Sequence, residues 1–145
     1  MKYLIEKQII DAVKKLLTGR VNELLSELDL QVPLIEFSDY QGRFIVVPVV
    51  NPVSCERSEK ERIIRLDVYS LMVHFSFPDT ADSELFCYLF SGAFNEALNE
   101  DPTLGGIADR AVLTEKKYLP PKTKKSGDSW EIVIGLRITV EDITT

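Results

Sequence analysis

His74 is the one histidine in 145 residues, and it sits in an alternating strand pattern with no cysteine or paired carboxylate at ligand spacing. A general base or a metal ligand needs a second member, and the sequence supplies none beside it. Asp79, Asp82 and Glu84 could gather around a hard cation, but they stand where a helix begins, and there capping and the helix dipole explain them. Ser91, followed by Gly92, falls inside a helical pattern without the strand–turn–helix elbow that presents a nucleophile. Gly105 and Gly106 follow a helix and precede a strand, the reverse of the order that cradles a phosphate. Cys55 and Cys87 have neither C-x-x-C spacing nor a histidine cluster, and read as reduced structural thiols.

The elements that would position these residues follow from periodicity. From Tyr3 to Leu28, apolar residues recur at three- and four-residue steps, which predicts an amphipathic helix, either single or bent near Thr18 and Gly19. Lys14, Lys15, Asn22, Glu23 and Glu27 are expected on its wet side. Leu34 to Phe37 and Phe44 to Val50 read as strands around a turn at Asp39 to Gly42, with Pro48 marking an edge, bulge or bend. Cys55 to Arg62, C-E-R-S-E-K-E-R, reads as a solvated hairpin tip or loop. Ile63 to Phe77 reads as a strand whose apolar phase reverses near Val68 and Tyr69, which predicts a bulge there or a change of covering layer.

Asp79 or Thr80 is then expected to cap a helix running to about Leu98, with a wide face of Leu85, Phe86, Leu89, Phe90, Ala93, Phe94, Ala97 and Leu98. Two glycines after Pro102 and a lone Leu104 describe a chain that stops a helix, turns sharply and anchors itself by one apolar side chain. Ile107 to Leu119 reads as a half-exposed strand, Pro120 to Gly127 as a loop, and Trp130 to Val140 as the cleanest period-two strand of the chain. The sum is one α+β domain over residues 1–145, with a mostly antiparallel or mixed sheet of about four to five strands and two main helices packed on one face.

Composition fits this. A content of 45% hydrophobic and 28% charged residues suits one globular core, and no apolar run approaches the roughly 18 to 20 residues of a membrane span. Lys2, Glu6 and Lys7 interrupt the N-terminal segment, so a secretory signal is not expected and synthesis in the cytoplasm is. A net charge of -6 argues against a free sequence-specific DNA binder, because phosphate contacts need a basic surface. Lys116, Lys117, Lys122, Lys124 and Lys125 could still meet DNA or an acidic partner, or form a merely solvated segment.

From Leu85 to Val140 the order of helix, D-P-T-L-G-G-I-A-D turn, K-K-Y strand, proline-rich loop and W-E-I-V-I-G-L-R strand resembles the tail terminator (tail completion) proteins of long-tailed bacteriophages. The resemblance implies a virion or prophage structural protein without catalytic residue, metal or cofactor. It implies a homo-oligomer, a hexameric ring, that caps the tail-tube protein, ends tail polymerisation and offers a surface to the head–tail connector or head-closure protein. DNA would pass its lumen without specific binding, six acidic copies keeping it from sticking. Assembly would occur in the host cytoplasm, and the product would reside in the virion tail.

The family turn falls on Asp101, Thr103, Leu104, Gly105 and Gly106. Glu56, Arg57, Glu59, Lys60, Glu61 and Arg62, with Lys122, Lys124 and Lys125, are candidate subunit or partner contacts. The stretch from Asp39 to Arg62 is longer and more charged than in the simplest members. Two alternatives stay open: another neck or tail component, such as a head-closure or tail-tube protein, and a small-molecule-binding or enzymatic α+β domain.

Overall fold

Ile9, Val13, Leu17, Val21 and Leu25 follow one another at four-residue steps, and all five are buried. In an α-helix four residues overshoot a full turn by about 40°, so a stripe with that spacing drifts off the core. The chain corrects the drift locally. In the computed structural model, which describes residues 4–39, 44–60, 64–78, 82–122 and 129–143, α1 (Ile5–Leu16) passes into a π-helical turn (Leu17–Val21) and then α2 (Asn22–Ser26). The wider π turn rotates less per residue and returns the stripe to the sheet. The irregularity expected at Thr18 and Gly19 is this turn.

Asn22 is not on the wet side. Its side-chain amide donates to the Ile35 carbonyl at 2.9 Å and accepts from the Ile35 N–H at 3.0 Å. Those are the backbone groups that a neighbouring strand would satisfy. β1 (Leu34–Ile35) meets β2 (Ile45–Val46) in parallel on its other edge, through Leu34 N–H to Phe44 and Glu36 N–H to Val46. One helical side chain thus completes a strand too short to belong to a sheet. Lys14 also departs from expectation, its ammonium lying 5.0 Å from the centre of the Phe37 ring.

Beyond Pro48 the chain enters a four-stranded antiparallel sheet: β3 (Val49–Lys60), β4 (Ile64–Pro78), β5 (Arg110–Leu119) and β6 (Ser129–Ile143), in the order β3-β4-β6-β5. Pro48 falls in the break between β2 and β3, as its missing donor requires. The charged run after Cys55 is not a loop. Cys55 to Lys60 is strand, paired from Cys55 opposite Tyr69 to Lys60 opposite Ile64, and only Glu61 and Arg62 of that run lie outside the described residues. An edge strand exposed on both faces has no apolar demand to meet, which is why its composition mimics a loop.

No bulge interrupts β4. Its register with β6 is unbroken, and Leu66 and Val68 simply face the uncovered side of the sheet while Asp67 and Tyr69 face the helices. The bulges lie elsewhere, at Val53 in β3 and Thr114 in β5.

α3 (Ser83–Glu100) lies across β4, β5 and β6, while α1 lies against β3, so the helices cover one face. Asp79 and Thr80, expected as caps, lie outside the described residues, and Asp82 at the cap position makes no side-chain capping bond. Ser83 instead donates its hydroxyl to the Pro78 carbonyl. The buried face also differs in detail: Cys87 and Ser91 are inside and Leu85 is exposed. Phe90 meets Phe77 edge-on at 4.9 Å and Phe75 at 5.6 Å between ring centres. Burying each such ring contributes about 1.5–3 kcal/mol, more than any exposed ion pair.

Replacing Asn22 by leucine removes both bonds to Ile35 and strands a buried N–H and C=O. Urea denaturation is expected to show a loss of about 1–3 kcal/mol with an unchanged slope.

Candidate functional site

Asp101 follows the last residue of α3, and its carboxylate organises the turn beyond it. One oxygen accepts from the Thr103 hydroxyl at 2.9 Å, and the other accepts from the Gly105 N–H at 2.9 Å. Thr103 in turn accepts the Gly106 N–H at its hydroxyl, 3.2 Å, and the Ala108 N–H at its carbonyl, 2.9 Å. Leu104, Gly105 and Gly106 all have positive φ, at 52°, 73° and 92°. Glycine tolerates this, but leucine adopts it only under constraint. The constraint is visible: Leu104 is 4% exposed, buried in the core between the turn's own hydrogen bonds. The five residues of the expected turn therefore act as one unit, with Asp101 and Thr103 as the polar frame and Leu104 as the anchor.

The turn delivers the chain to β5 at a defined point. Asp109 donates its N–H to the Thr139 carbonyl at 2.9 Å, and its carboxylate accepts the N–H of Glu141. β5 starts opposite Thr139, so β6 beyond this point has lost that neighbour, and the Asp109 side chain takes the first donor left exposed.

Past Thr139 the sheet continues as an arm of three strands, β3, β4 and β6, reaching Lys60, Ile64 and Ile143. Asp67 is buried at its base, 3.1 Å from Arg57 Nε and 3.7 Å from Arg65 Nε. Arg57, one of the candidate contacts, is thus tied to the arm itself. Glu56 is exposed on the opposite face, Glu59 and Lys60 continue the strand, and Glu61 and Arg62 lie outside the described residues.

Lys122 is exposed just past β5, whereas Lys124 and Lys125 lie outside the described residues. Among the described residues, the two sets of candidate contacts do not come together. Lys60 stands opposite Ile64 at one end of β4, whereas Lys122 follows β5, whose last residue Leu119 is level with Ser76 near the other end, so these two are separated by roughly 40 Å of strand.

The residues considered for chemistry are scattered as well. His74 faces the uncovered side of the sheet, 3.4 Å from Glu131, while Ser91 is buried in α3 and donates to the Tyr88 carbonyl at 3.1 Å. Among the described residues, no group of three or more His, Cys, Asp and Glu side chains is placed to hold a metal ion. Cys87 is buried, and burial pushes its thiol up to about 11, away from the reactive thiolate. Cys55 is exposed, and its thiol is also pushed up, by local desolvation first and then by the Asp67 charge. The clefts among the described residues include one of about 240 Å³ between Ile9, Ile10, Val53 and Tyr69, and a second of about 550 Å³ between Lys15, Gly19, Arg20, Leu104 and Gly105.

Arg20, which periodicity alone left unnoticed, locks the second cleft. From the π turn it grips Glu100 at the end of α3 with two nitrogens, at 2.7 and 3.1 Å, and reaches Glu23 at 3.2 Å. That hydrogen bond, before any long-range charge, holds the Glu100 carboxyl below its ordinary value of 4.5. No periodicity flags such a link, because its members are 80 residues apart.

Two outcomes test this geometry. A Cβ on Gly105 meets nothing within 4 Å, so Gly105→Ala costs backbone strain alone, about 1–2 kcal/mol by chemical denaturation. Because the Glu100 pKa is depressed on folding, its contribution is fully present above 4.5 and lost as pH falls through the lower folded value. The stability gap between the wild type and Glu100→Gln is accordingly expected at neutral pH and to close on acidification, read as converging urea midpoints. Compared with known proteins, the chain matches no family model and no curated protein.

Proposed function

We propose that this chain is a tail terminator of a long-tailed phage or prophage, a structural subunit that closes into a hexameric ring on the end of the tail tube. The ring ends tube polymerisation and forms the surface that meets the head side. The observation that carries this is the one-sided architecture: among the described residues, helices cover a single face of the sheet, and the other face, both edges and a three-stranded arm are left for neighbours.

Three further features support it. The turn from Asp101 to Ala108 is closed by hydrogen bonds and buries its leucine, which suits a motif that acts through its shape rather than through chemistry. Lys60 near the end of the arm and Lys122 just past β5 lie toward opposite ends of the sheet, as suits a part lying between tube and head. The net charge of -6 per copy gives a ring from which passing DNA is repelled.

The test is assembly. Purified protein added to polymerising tail-tube protein is expected to form six-fold rings at tube ends and to shorten the tubes, seen by negative-stain microscopy. A particle that never closes into a ring and leaves tube length unchanged overturns the proposal.

A further inference from the structure

Among the described residues, β3 and β5 each have one strand neighbour, so both outer edges of the sheet are open. Such edges are templates for pairing unless something blunts them. β3 is unusually available, with every residue from Asn51 to Ser58 exposed, and β5 is exposed from Thr114 to Tyr118.

We infer that the β3 edge of one copy pairs antiparallel with the β5 edge of the next, joining copies head to tail through one continuous sheet. This goes beyond the proposed function, since it concerns how copies join whether or not they cap a tube.

Polarity comes first. All three pairings in the sheet are antiparallel, so its two edge strands run in opposite directions. Repeating the unit in one orientation therefore sets β5 beside the neighbour's β3 with the alternation intact. Head-to-tail contacts of this kind close into rings when the rotation allows. A twofold pairing of β5 with its own copy would set the Lys116–Lys117 pair against itself.

Width is the second argument. Four strands span about 19 Å, and two helices packed side by side at 8–10 Å cover roughly the same width. With α1 on β3 and α3 on the β5 side, joined edges bring one copy's α3 beside the next copy's α1 at an ordinary packing distance. The facing surfaces carry exposed apolar side chains. Tyr88 of α3 packs on Tyr118 of β5 at 5.3 Å, and Tyr88, Tyr118 and Leu85 are 48%, 37% and 41% exposed. On the other edge, Val53 is 58% exposed at the β3 bulge beside Ile10 of α1.

Charge selects the register. Lys117 and Glu56 both face the uncovered side of the sheet, opposite Val133 and Val68 within their own copy. Setting them across the junction places Tyr118 opposite Cys55 and Leu119 opposite Ser54, next to Val53. Lys116 then lies opposite Arg57, whose charge Asp67 already takes up at 3.1 Å. A shift of two residues one way would set Glu115 against Glu56, and the other way Leu119 against Glu56.

The test uses exposed positions that folding does not need. In light scattering across a concentration series, Glu56→Lys and Lys117→Glu are each expected to weaken self-association roughly five- to tenfold, and the double reversal to restore it. In a Cys55→Ser background, oxidation of a mixture of Glu56→Cys and Lys117→Cys chains is expected to give a mixed disulfide dimer. One chain carrying both substitutions gives a ladder beyond the dimer. Like-with-like crosslinks, no crosslink, failure of the charge reversal to rescue, or a monomer at every concentration each overturn the inference.

Discussion

Fifteen consecutive residues of β4, from Ile64 to Pro78, pair without interruption with β6, from Ile143 to Ser129, and the rest of the molecule depends on that ladder. Side chains alternate between faces along it, so a slip of one residue would turn Tyr69, Leu71, Val73, Phe75 and Phe77 to solvent and bring Ser70, Met72 and His74 against α3. The aromatic contacts of Phe90, the starting point of β5 and the reach of the arm are all measured from this register. Irregularity is pushed outward to the edge strands, where the bulges at Val53 and Thr114 bend the sheet without disturbing its centre.

Polar side chains then fix what packing leaves free. Asn22 completes β1, Asp101 shapes the turn after α3, Asp109 takes up a donor where β5 begins, and Arg20 joins the first helical segment to α3. Each acts where a regular element ends and backbone groups or helix ends would otherwise lack partners. That position makes them efficient: a single short side chain settles the direction in which the next element leaves.

Where one physical cause set a segment's composition, the sequence was legible. The alternation from Trp130 to Val140, the apolar face of α3 and the two glycines after Leu104 each answer to one demand, and the α+β layering with helices on one face follows from them. Where two causes overlap, it was not. Cys55 to Lys60 is polar because it is an exposed edge, and polarity alone cannot separate an edge strand from a loop. Asp67 occupies an inward position only because two arginines reach it. Leu66 and Val68, apolar yet turned outward, imitate a phase break that the backbone does not have. Asn22 and Arg20 were opaque for a different reason, since their partners, Ile35 and Glu100, lie outside their own helical segment, where periodicity does not reach.

The π turn between α1 and α2 has a consequence for how this chain can vary. Such a turn is geometrically one surplus residue accommodated within a helix. Losing a residue between Leu17 and Val21 would restore an ordinary α-helix, yet swing everything before it by about 100° relative to everything after. Ile9 and Val13 would leave the core if Asn22 stayed on Ile35, or Asn22 would leave Ile35 if they remained. Along this five-residue segment, length is therefore constrained more tightly than identity, and Gly19, whose absent Cβ would touch nothing within 4 Å, is free to change where a neighbouring deletion is not.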